Sequence, residues 1–218
     1  AVKISRRAFV GAMASVPLVA AEEQWIPLFN GKDLEGWRPS EHKDSWKVRE
    51  GQISAEGPRS HLFHTGREFK NFELEVEALA RPGCNSGVYF HTAYQETGFP
   101  IKGFEIQINN TATGEGTYRE RKKTGSLYGL RNVYKQLVPD DRWFKLSCIV
   151  RGKNVQVRID GVLVVDYTEP TPPVIPDGME RERFLNRGTF ALQCHNEGSL
   201  ARFRSVRVRP LPDDATAP

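Results

Sequence analysis

The sequence predicts an all-β domain, a sandwich or a barrel, built from many short strands. Short runs of strand-forming residues recur with almost no helical periodicity, at residues 46–48, 52–55, 72–80, 87–91, 104–109, 143–151, 154–159, 162–167, 188–193 and 201–209. Gly, Pro, Asn and Asp between the runs are typical of turns in such folds. Residues 151–154 predict one hairpin, and Asp160-Gly161 predicts the next with a two-residue turn.

Side-chain alternation within the runs favours an antiparallel sandwich. In residues 72–78, apolar side chains at even positions alternate with glutamates at 73, 75 and 77. In residues 155–160, Val155, Val157 and Ile159 alternate with polar side chains in the same way. One buried face and one wet face per strand is the pattern that an antiparallel sandwich requires.

Residues 1–20 differ in composition from the rest of the chain. Arg6-Arg7 precedes a modest apolar stretch that runs to Ala20, a pattern typical of a twin-arginine export signal. The stretch is short for a membrane span and contains Pro17. We therefore expect an exported protein, periplasmic or extracellular, with one domain over residues 21–218; the alternative is an N-terminal arm of that domain.

Charge and cysteine content exclude several classes of function. The chain has a pI near 9.0. Three of its 31 basic residues and none of its 27 acidic residues lie in residues 1–20, so the remainder has a net charge of +1. A nearly neutral domain has no general attraction for nucleic acid or anionic membranes. The chain has three cysteines, Cys84, Cys148 and Cys194, so they cannot all be paired in disulfides, and their spacing matches no metal site. We expect Cys148 and Cys194 to be buried in strands.

Three of the runs place polar side chains on a common face that lacks the usual surface mixture of Lys and Glu. Period-2 geometry puts the polar residues of 87–91, 104–109 and 190–195 opposite the core. If these strands share a sheet, its outer face collects Tyr89, His91, Glu105, Gln107, Asn109, Gln193 and His195. Amide, imidazole and phenol groups beside one carboxylate suit the recognition of sugar hydroxyls. A solvated sheet surface is the alternative for any single strand.

Several motifs together resemble the 3-keto-disaccharide hydrolase domain family. They are LFNGKDLEGW at residues 28–37, WKVREG at 46–51, NSGVYF at 85–90, GFEIQI at 103–108, TGSLYG at 124–129, GTFALQCH at 188–195 and FRSVRV at 203–208. The resemblance implies a concanavalin A-like jelly roll of two antiparallel sheets, one of them concave and open to ligand. His91 stands where the family often has arginine, and Asn109 where it often has aspartate.

The resemblance implies a reaction that one carboxylate can support. Retaining glucanases of this architecture place two glutamates on one strand, whereas this strand has Glu105, Gln107 and Asn109, so it does not favour retaining hydrolysis. Inverting hydrolysis would need a second acid from a loop. In a 3-keto sugar the ketone acidifies the C2 proton, so elimination at C1 and rehydration suffice. We expect Glu105 or His195 to act as base and Tyr89 and His91 as donors. The expected substrate-binding residues are Asn85, Gln107, Asn109, Tyr128 and Gln193.

Alternatives to an enzyme are a non-catalytic, lectin-like carbohydrate-binding domain and a structural or interaction domain. We predict no cofactor; calcium is compatible with the architecture, but no motif in the sequence calls for it. Residues 119–123 fit a solvated loop better than an anion clamp, and residues 168–187 fit a functional loop and a solvated one equally. We expect Trp37, Trp46 and Trp143 to pack in the protein interior, and His42, His61 and His64 to lie on the surface.

Overall fold

Two antiparallel sheets form a sandwich in the computed structural model, which describes residues 24–114, 116–176 and 182–216. The eight-stranded sheet contains β1 (Ile26–Pro27), β3 (Trp46–Arg49), β4 (Gln52–Ala55), β6 (Phe72–Ala80), β9 (Phe144–Arg151), β10 (Asn154–Ile159), β11 (Val162–Thr168) and β13 (Ala201–Pro210). The five-stranded sheet contains β2 (Trp37–Pro39), β5 (Ser60–His64), β7 (Ser86–Thr92), β8 (Phe104–Ile108) and β12 (Thr189–Cys194). A single 3-10 turn, Lys43–Ser45, is the one helical element among the described residues. The predicted sandwich is confirmed.

The strand order places distant parts of the chain side by side. The larger sheet runs β11-β10-β9-β6-β13-β4-β3, with β1 also paired to β13, and the smaller runs β2-β5-β12-β7-β8. The hairpins β9–β10 and β10–β11 are the two that the sequence predicts. Asp160 and Gly161 both have positive φ, +48° and +83°, as a type I′ turn requires.

The core lies between the two sheets and draws on both. The apolar side of β6, at Phe72, Leu74 and Val76, is fully buried. On its other side the three glutamates form a ladder of ion pairs with Lys145 and Arg151 of β9 and Arg204, Arg207 and Arg209 of β13. Exposed pairs of this kind contribute about 0–1 kcal/mol each. The outer face of the larger sheet is therefore an ordinary charged surface.

Four of the five strands of the smaller sheet are buried on both faces. Every residue of β5, β7, β8 and β12 is buried, including those that alternation assigns to the outside. Residues 124–128 extend this sheet along the free edge of β8, with Gly125 N donating to Gln107 O (3.0 Å) and Tyr128 N donating to Glu105 O (2.9 Å). The polar face is thus partly covered by loops.

Strand β5 corrects one expectation about the histidines. His61 is completely buried and His64 is 9 % exposed, whereas His42 is exposed as expected. Both faces of β5 are covered, so its sequence, Ser-His-Leu-Phe-His, does not alternate between apolar and polar residues. Without that alternation the segment was interpreted as a polar loop. Trp37 and Trp46 are buried as predicted, and Trp143 is half-buried beneath the guanidinium of Arg204.

The cysteine expectation is confirmed: Cys84, Cys148 and Cys194 are all buried and free. Burial raises the pKa of the Cys84 thiol to about 12. Within the described part of the chain, no helix is long and apolar enough to cross a membrane. The expected export signal at residues 1–20 lies outside the described residues.

Candidate active site

A pocket of about 210 Å³ lies on the outer face of the five-stranded sheet. Seven of its lining residues are ones that the sequence analysis selected: Asn85, Tyr89, Glu105, Gln107, Tyr128, Gln193 and His195. Four more come from loops: Phe99, Tyr118, Glu120 and Arg183. The expected convergence of polar side chains from β7, β8 and β12 on one surface is therefore observed, but as the floor of a pocket rather than as an open sheet.

A hydrogen-bonded chain of three side chains crosses the pocket floor. Tyr89 and Glu105 are direct neighbours on β7 and β8, and the Tyr89 hydroxyl donates to Glu105 Oε2 at 2.9 Å. Gln193 on β12 donates from Nε2 to the Tyr89 hydroxyl at 3.0 Å. Three adjacent strands thus hold the carboxyl group in a fixed orientation, which preorganises it for chemistry.

Gly87 provides the space that the Glu105 carboxyl occupies. A Cβ atom added to Gly87 would lie 2.3 Å from Glu105 Oε1, far inside van der Waals contact. Turning the Gln107 amide by 180° places its nitrogen 3.2 Å from Glu105 Oε1 and 3.2 Å from the Ser86 carbonyl oxygen. We adopt this orientation because both acceptors then receive a hydrogen bond. Each oxygen of Glu105 has a donor.

The environment of Glu105 moves the pKa of its carboxyl group close to neutral pH. Burial raises its pKa from 4.5 to about 7, although the hydrogen bond from Tyr89 and the charge of Arg183 act in the opposite direction. Burial and the nearby Glu105 charge raise the pKa of Tyr89 well above its ordinary value, so Tyr89 stays a neutral donor. A carboxyl group with a pKa close to the working pH is suited to general acid–base catalysis.

Glu120 is a second carboxylate in the pocket that sequence reasoning missed. It comes from the loop taken as solvated, yet it is 3 % exposed. Its Oε2 accepts hydrogen bonds from Tyr118 (2.7 Å) and Tyr128 (3.0 Å), and its Oε1 accepts from the backbone N of Lys122 (2.8 Å). Burial raises the pKa of Glu120, but these bonds and the Lys122 charge outweigh it, so the net shift is downward. Two carboxylates with pKa values moved apart are typical of acid–base sites.

Arg183 brings a positive charge to the same pocket from the other long loop. Its Nη2 donates to Pro100 O at 2.6 Å and its Nη1 to Gly103 O at 3.4 Å. Its Nε is buried with no hydrogen-bond partner among the described residues. A cation held in place with one unused donor is suited to binding a polar or anionic oxygen.

His61 and His195 both have their rings close to the ring of Phe99. The ring centroid of Phe99 is 5.3 Å from that of His195 and 5.8 Å from that of His61, and His61 is edge-on to Tyr89 at 5.4 Å. Burial and the charge of Arg59 lower the pKa of His61 to about 3, so its ring is neutral. Neither His61 ring nitrogen nor Gln193 Oε1 has a partner among the described residues. Buried polar atoms of this kind are usually satisfied by water or ligand.

His91 does not reach the pocket. Its backbone has φ +53°, which breaks the alternation of β7, and its ring packs against the core residues Phe72 and Phe90. Its Nε2 lies 2.8 Å from Lys70 O and its Nδ1 accepts from Asn186 N at 3.2 Å. Burial lowers its pKa to about 4. The structure therefore removes His91 from the expected set of donors.

Asn109 also lies outside the pocket lining. Its Nδ2 donates to Lys122 O at 3.0 Å and its backbone N donates to Thr124 Oγ1 at 2.9 Å. It is completely buried beneath the loop that carries Glu120. Asn109 therefore positions that loop rather than contacting a ligand in the pocket.

The part of the chain that the structure describes contains no cluster of metal-ligating side chains. No three His, Cys, Asp or Glu side chains there converge closely enough to hold an ion. Calcium, compatible with the architecture, remains a prediction without assigned ligands.

Comparison with known proteins identifies the family. The sequence profile of the 3-keto-alpha-glucoside-1,2-lyase-like domain matches residues 24–209. The chain belongs to this family. A 3-keto-disaccharide hydrolase of Bacteroides thetaiotaomicron is 30 % identical over 101 residues, covering 41 % of this chain and 35 % of the relative. The chain thus spans about a third of the length of that curated relative.

Solved structures support the fold of the family domain. A protein of Parabacteroides distasonis provisionally named a glycosyl hydrolase superposes with a TM-score of 0.68 at 22 % identity, covering 87 % of this chain and 95 % of its own. The exoplasmic/lumenal domain of VIP36, in its calcium- and mannose-bound form, gives a TM-score of 0.55 at 13 % identity, covering 88 % and 91 %. At these identities the likeness concerns the fold alone, and it confirms the expected lectin-like jelly roll.

Proposed function

We propose that this protein cleaves 3-keto-disaccharides or related 3-keto-glycosides by elimination followed by hydration. The observation that carries the proposal is Glu105, a buried carboxyl group with a pKa of about 7 in a pocket of about 210 Å³. This volume is below the roughly 300–1,000 Å³ of pockets for drug-sized ligands and suits a single sugar ring. Family membership supports a substrate with a 3-keto group.

The pocket residues suit each step of this reaction. The Glu105 carboxylate takes the C2 proton, and the electron pair left on C2 is delocalised onto the C3 oxygen as an enolate. Arg183, whose positive charge lines the pocket, would stabilise that oxygen. The C1–C2 double bond then forms as the C1–O bond breaks, and the departing oxygen takes a proton from His195. Water finally adds its hydroxyl to C1 and gives its proton to His195, and the proton held by Glu105 returns to C2.

The remaining polar groups bind and orient the ring. Tyr89 and Gln107 hold the two oxygens of Glu105, so they position the base. Gln193 lines the pocket and holds the Tyr89 hydroxyl through its Nε2, so it also helps to position the base. Asn85 and Tyr128 line the pocket on the same sheet face and offer further donors and acceptors.

The decisive experiment is turnover of a 3-keto-disaccharide by Glu105→Gln. Loss of a general base typically costs about 10²–10⁴-fold in rate, and we expect a fall of this size. Glu35→Gln, a change of the same chemistry at an exposed carboxylate, is the matched control. The unoxidised disaccharide should not react, because its C2 proton has no adjacent ketone. Unimpaired turnover by Glu105→Gln would remove Glu105 from the mechanism.

A second candidate function is carbohydrate binding without catalysis. The fold likeness to a domain solved with bound mannose favours it. Calorimetric titration with 3-keto and unoxidised disaccharides separates the two: saturable binding without product indicates a lectin-like domain. Absence of any sugar binding would instead indicate the structural or interaction domain.

We further propose that the protein is exported through its Arg6-Arg7 segment. Fusing residues 1–23 to a reporter that is active only outside the cytoplasm tests this. Replacing both arginines by lysine should abolish the signal, and an unchanged signal contradicts twin-arginine export.

A further inference from the structure

A second cavity opens directly from the Glu105 pocket. It has a volume of about 610 Å³ and shares four lining residues with the inner pocket: Asn85, Phe99, Tyr118 and His195. Its other walls come from Gly83 and from two loop segments, residues 111–114 and 196–198. The two cavities form one continuous site, with the four shared residues at the junction.

The outer cavity has the chemistry of a site for an uncharged ring. Among the described residues, its lining contains no lysine or arginine and a single carboxylate, Glu197. Two aromatic side chains at the junction, Phe99 and Tyr118, are 41 % and 50 % exposed, which is unusual for rings of this size. The threonines and asparagines around them offer hydroxyl and amide groups.

Phe99 is held in place before any ligand arrives. The Gln95 side chain donates to Phe99 O (2.8 Å) and Thr97 O (2.6 Å) and accepts from Ile101 N (3.1 Å), which braces the loop. The Arg59 guanidinium lies 4.9 Å from the centre of the Phe99 ring. A ring fixed in this way binds a ligand face without the entropic cost of ordering.

A third cavity on the far side of the 111–124 loop has the opposite character. It has a volume of about 740 Å³, and its lining includes Arg119, Arg121 and Lys123. Among the described residues it shares only Glu120 with the inner pocket and only Thr113 with the outer cavity. The inner pocket therefore shares four described lining residues with the outer cavity and one with the basic cavity, so the outer cavity is the better candidate for a group that extends from the inner pocket.

We infer that the outer cavity is the leaving-group subsite of the enzyme, and that it takes an uncharged ring, a sugar or a phenol, against Phe99 and Tyr118. This inference rests on the proposed function. The inner pocket holds the 3-keto ring, and the bond to be broken spans the junction. His195 lines both cavities, so it is beside the oxygen that departs from C1.

The experiment compares kcat/KM for three 3-keto-glucosides that differ only in the leaving group: glucosyl, phenyl and methyl. Binding energy from a remote part of a substrate can be used in the transition state, so the two ring-bearing substrates should be preferred. We expect Phe99→Ala, which removes the ring face, to lower the glucosyl-to-methyl and phenyl-to-methyl ratios about tenfold. Glu197→Trp, at an exposed position that lines the outer cavity and neither of the other two, should lower both ratios similarly.

Arg121→Gln, in the basic cavity, is the control and should leave both ratios unchanged. If the ratios are unchanged in both Phe99→Ala and Glu197→Trp while the enzyme stays active, the leaving-group subsite is overturned and the proposed function is not. A ratio that falls in Arg121→Gln also overturns it, because the leaving group then occupies the basic cavity. Wild-type protein that cleaves none of the three substrates overturns the proposed function and this inference with it.

Discussion

The hydroxyl of Tyr89 donates a 2.9 Å hydrogen bond to Glu105, and the two residues are paired neighbours on adjacent strands of the buried sheet. The bond favours the ionised carboxylate, while burial favours the neutral acid, and burial has the larger effect. The pKa of Glu105 is therefore set by a balance between burial, which raises it, and the hydrogen bonds and positive charge of its neighbours, which lower it. Changes at those neighbours should move it in predictable directions.

Tyr89→Phe should raise the pKa of Glu105 further. The variant removes the hydrogen bond to the charged form and leaves the ring in place. A hydrogen bond to a charged group contributes about 1.5–3 kcal/mol, so kcat/KM at pH 7 should fall about tenfold or more. The pH dependence of kcat/KM checks this, because its acidic limb should move to higher pH. An acidic limb at the wild-type position would show that Tyr89 does not act through Glu105.

Glu120→Gln should shift the acidic limb of the pH dependence of kcat/KM to lower pH, the opposite direction to Tyr89→Phe. The negative charge of Glu120 raises the pKa of Glu105, so its removal should lower that pKa and move the acidic limb of kcat/KM to lower pH. The amide retains one oxygen that can accept from Tyr118 and Tyr128, which limits disturbance of the loop. A limb that moves upward in pH, as for Tyr89→Phe, would contradict this assignment.

Gly87→Ala should displace the Glu105 carboxyl while preserving the fold. The added methyl group would lie 2.3 Å from Oε1, and displacement of a catalytic group by about 1 Å can cost about 10²-fold in rate. Overpacking also destabilises, typically by about 1–3 kcal/mol. Urea denaturation should show that this cost largely disappears in the Glu105→Ala background. Equal destabilisation in both backgrounds would place the clash elsewhere.

Glu105 should make the protein less stable as pH rises from about 4.5 to about 7. Its pKa is 4.5 in the unfolded chain and about 7 in the folded protein. Across this window the folded state holds more protons, so raising the pH favours unfolding. At about 1.4 kcal/mol per pKa unit, Glu105→Gln should become more stable than wild type by up to a few kcal/mol above pH 7.

The comparison of urea denaturation at pH 5 and pH 8 measures this effect without any substrate. His61 contributes a slope of opposite sign, since its pKa of about 3 in the folded protein means that stability rises with pH up to about 6.5. His61 is present in both proteins, so the difference between wild type and Glu105→Gln isolates Glu105. A difference that does not grow with pH would contradict a raised pKa.

Strands with one solvent-exposed face were predictable from the sequence. Strands buried on both faces were harder to predict. The bounds of β6 and β10 are as predicted, because apolar and polar residues alternate along them between clear turns. Strand β5 was missed because His61 and His64 lie in it as buried residues, and no alternation marks it. The same double burial explains why the polar face of β7, β8 and β12 is a pocket floor and not an open surface.

The amino-acid sequence alone determined the antiparallel sandwich and most of the pocket floor, from Asn85 and Tyr89 to Glu105, Gln107, Gln193 and His195. This was possible because the two-residue repeat of a strand decides locally which side each residue faces. It was wrong for His91, where a positive φ turns the side chain into the core. Only the tertiary structure decided which loops cover that floor. Glu120 and Arg183 enter the pocket through contacts with Tyr128 and with the Pro100 carbonyl, and no local pattern encodes contacts between residues so far apart.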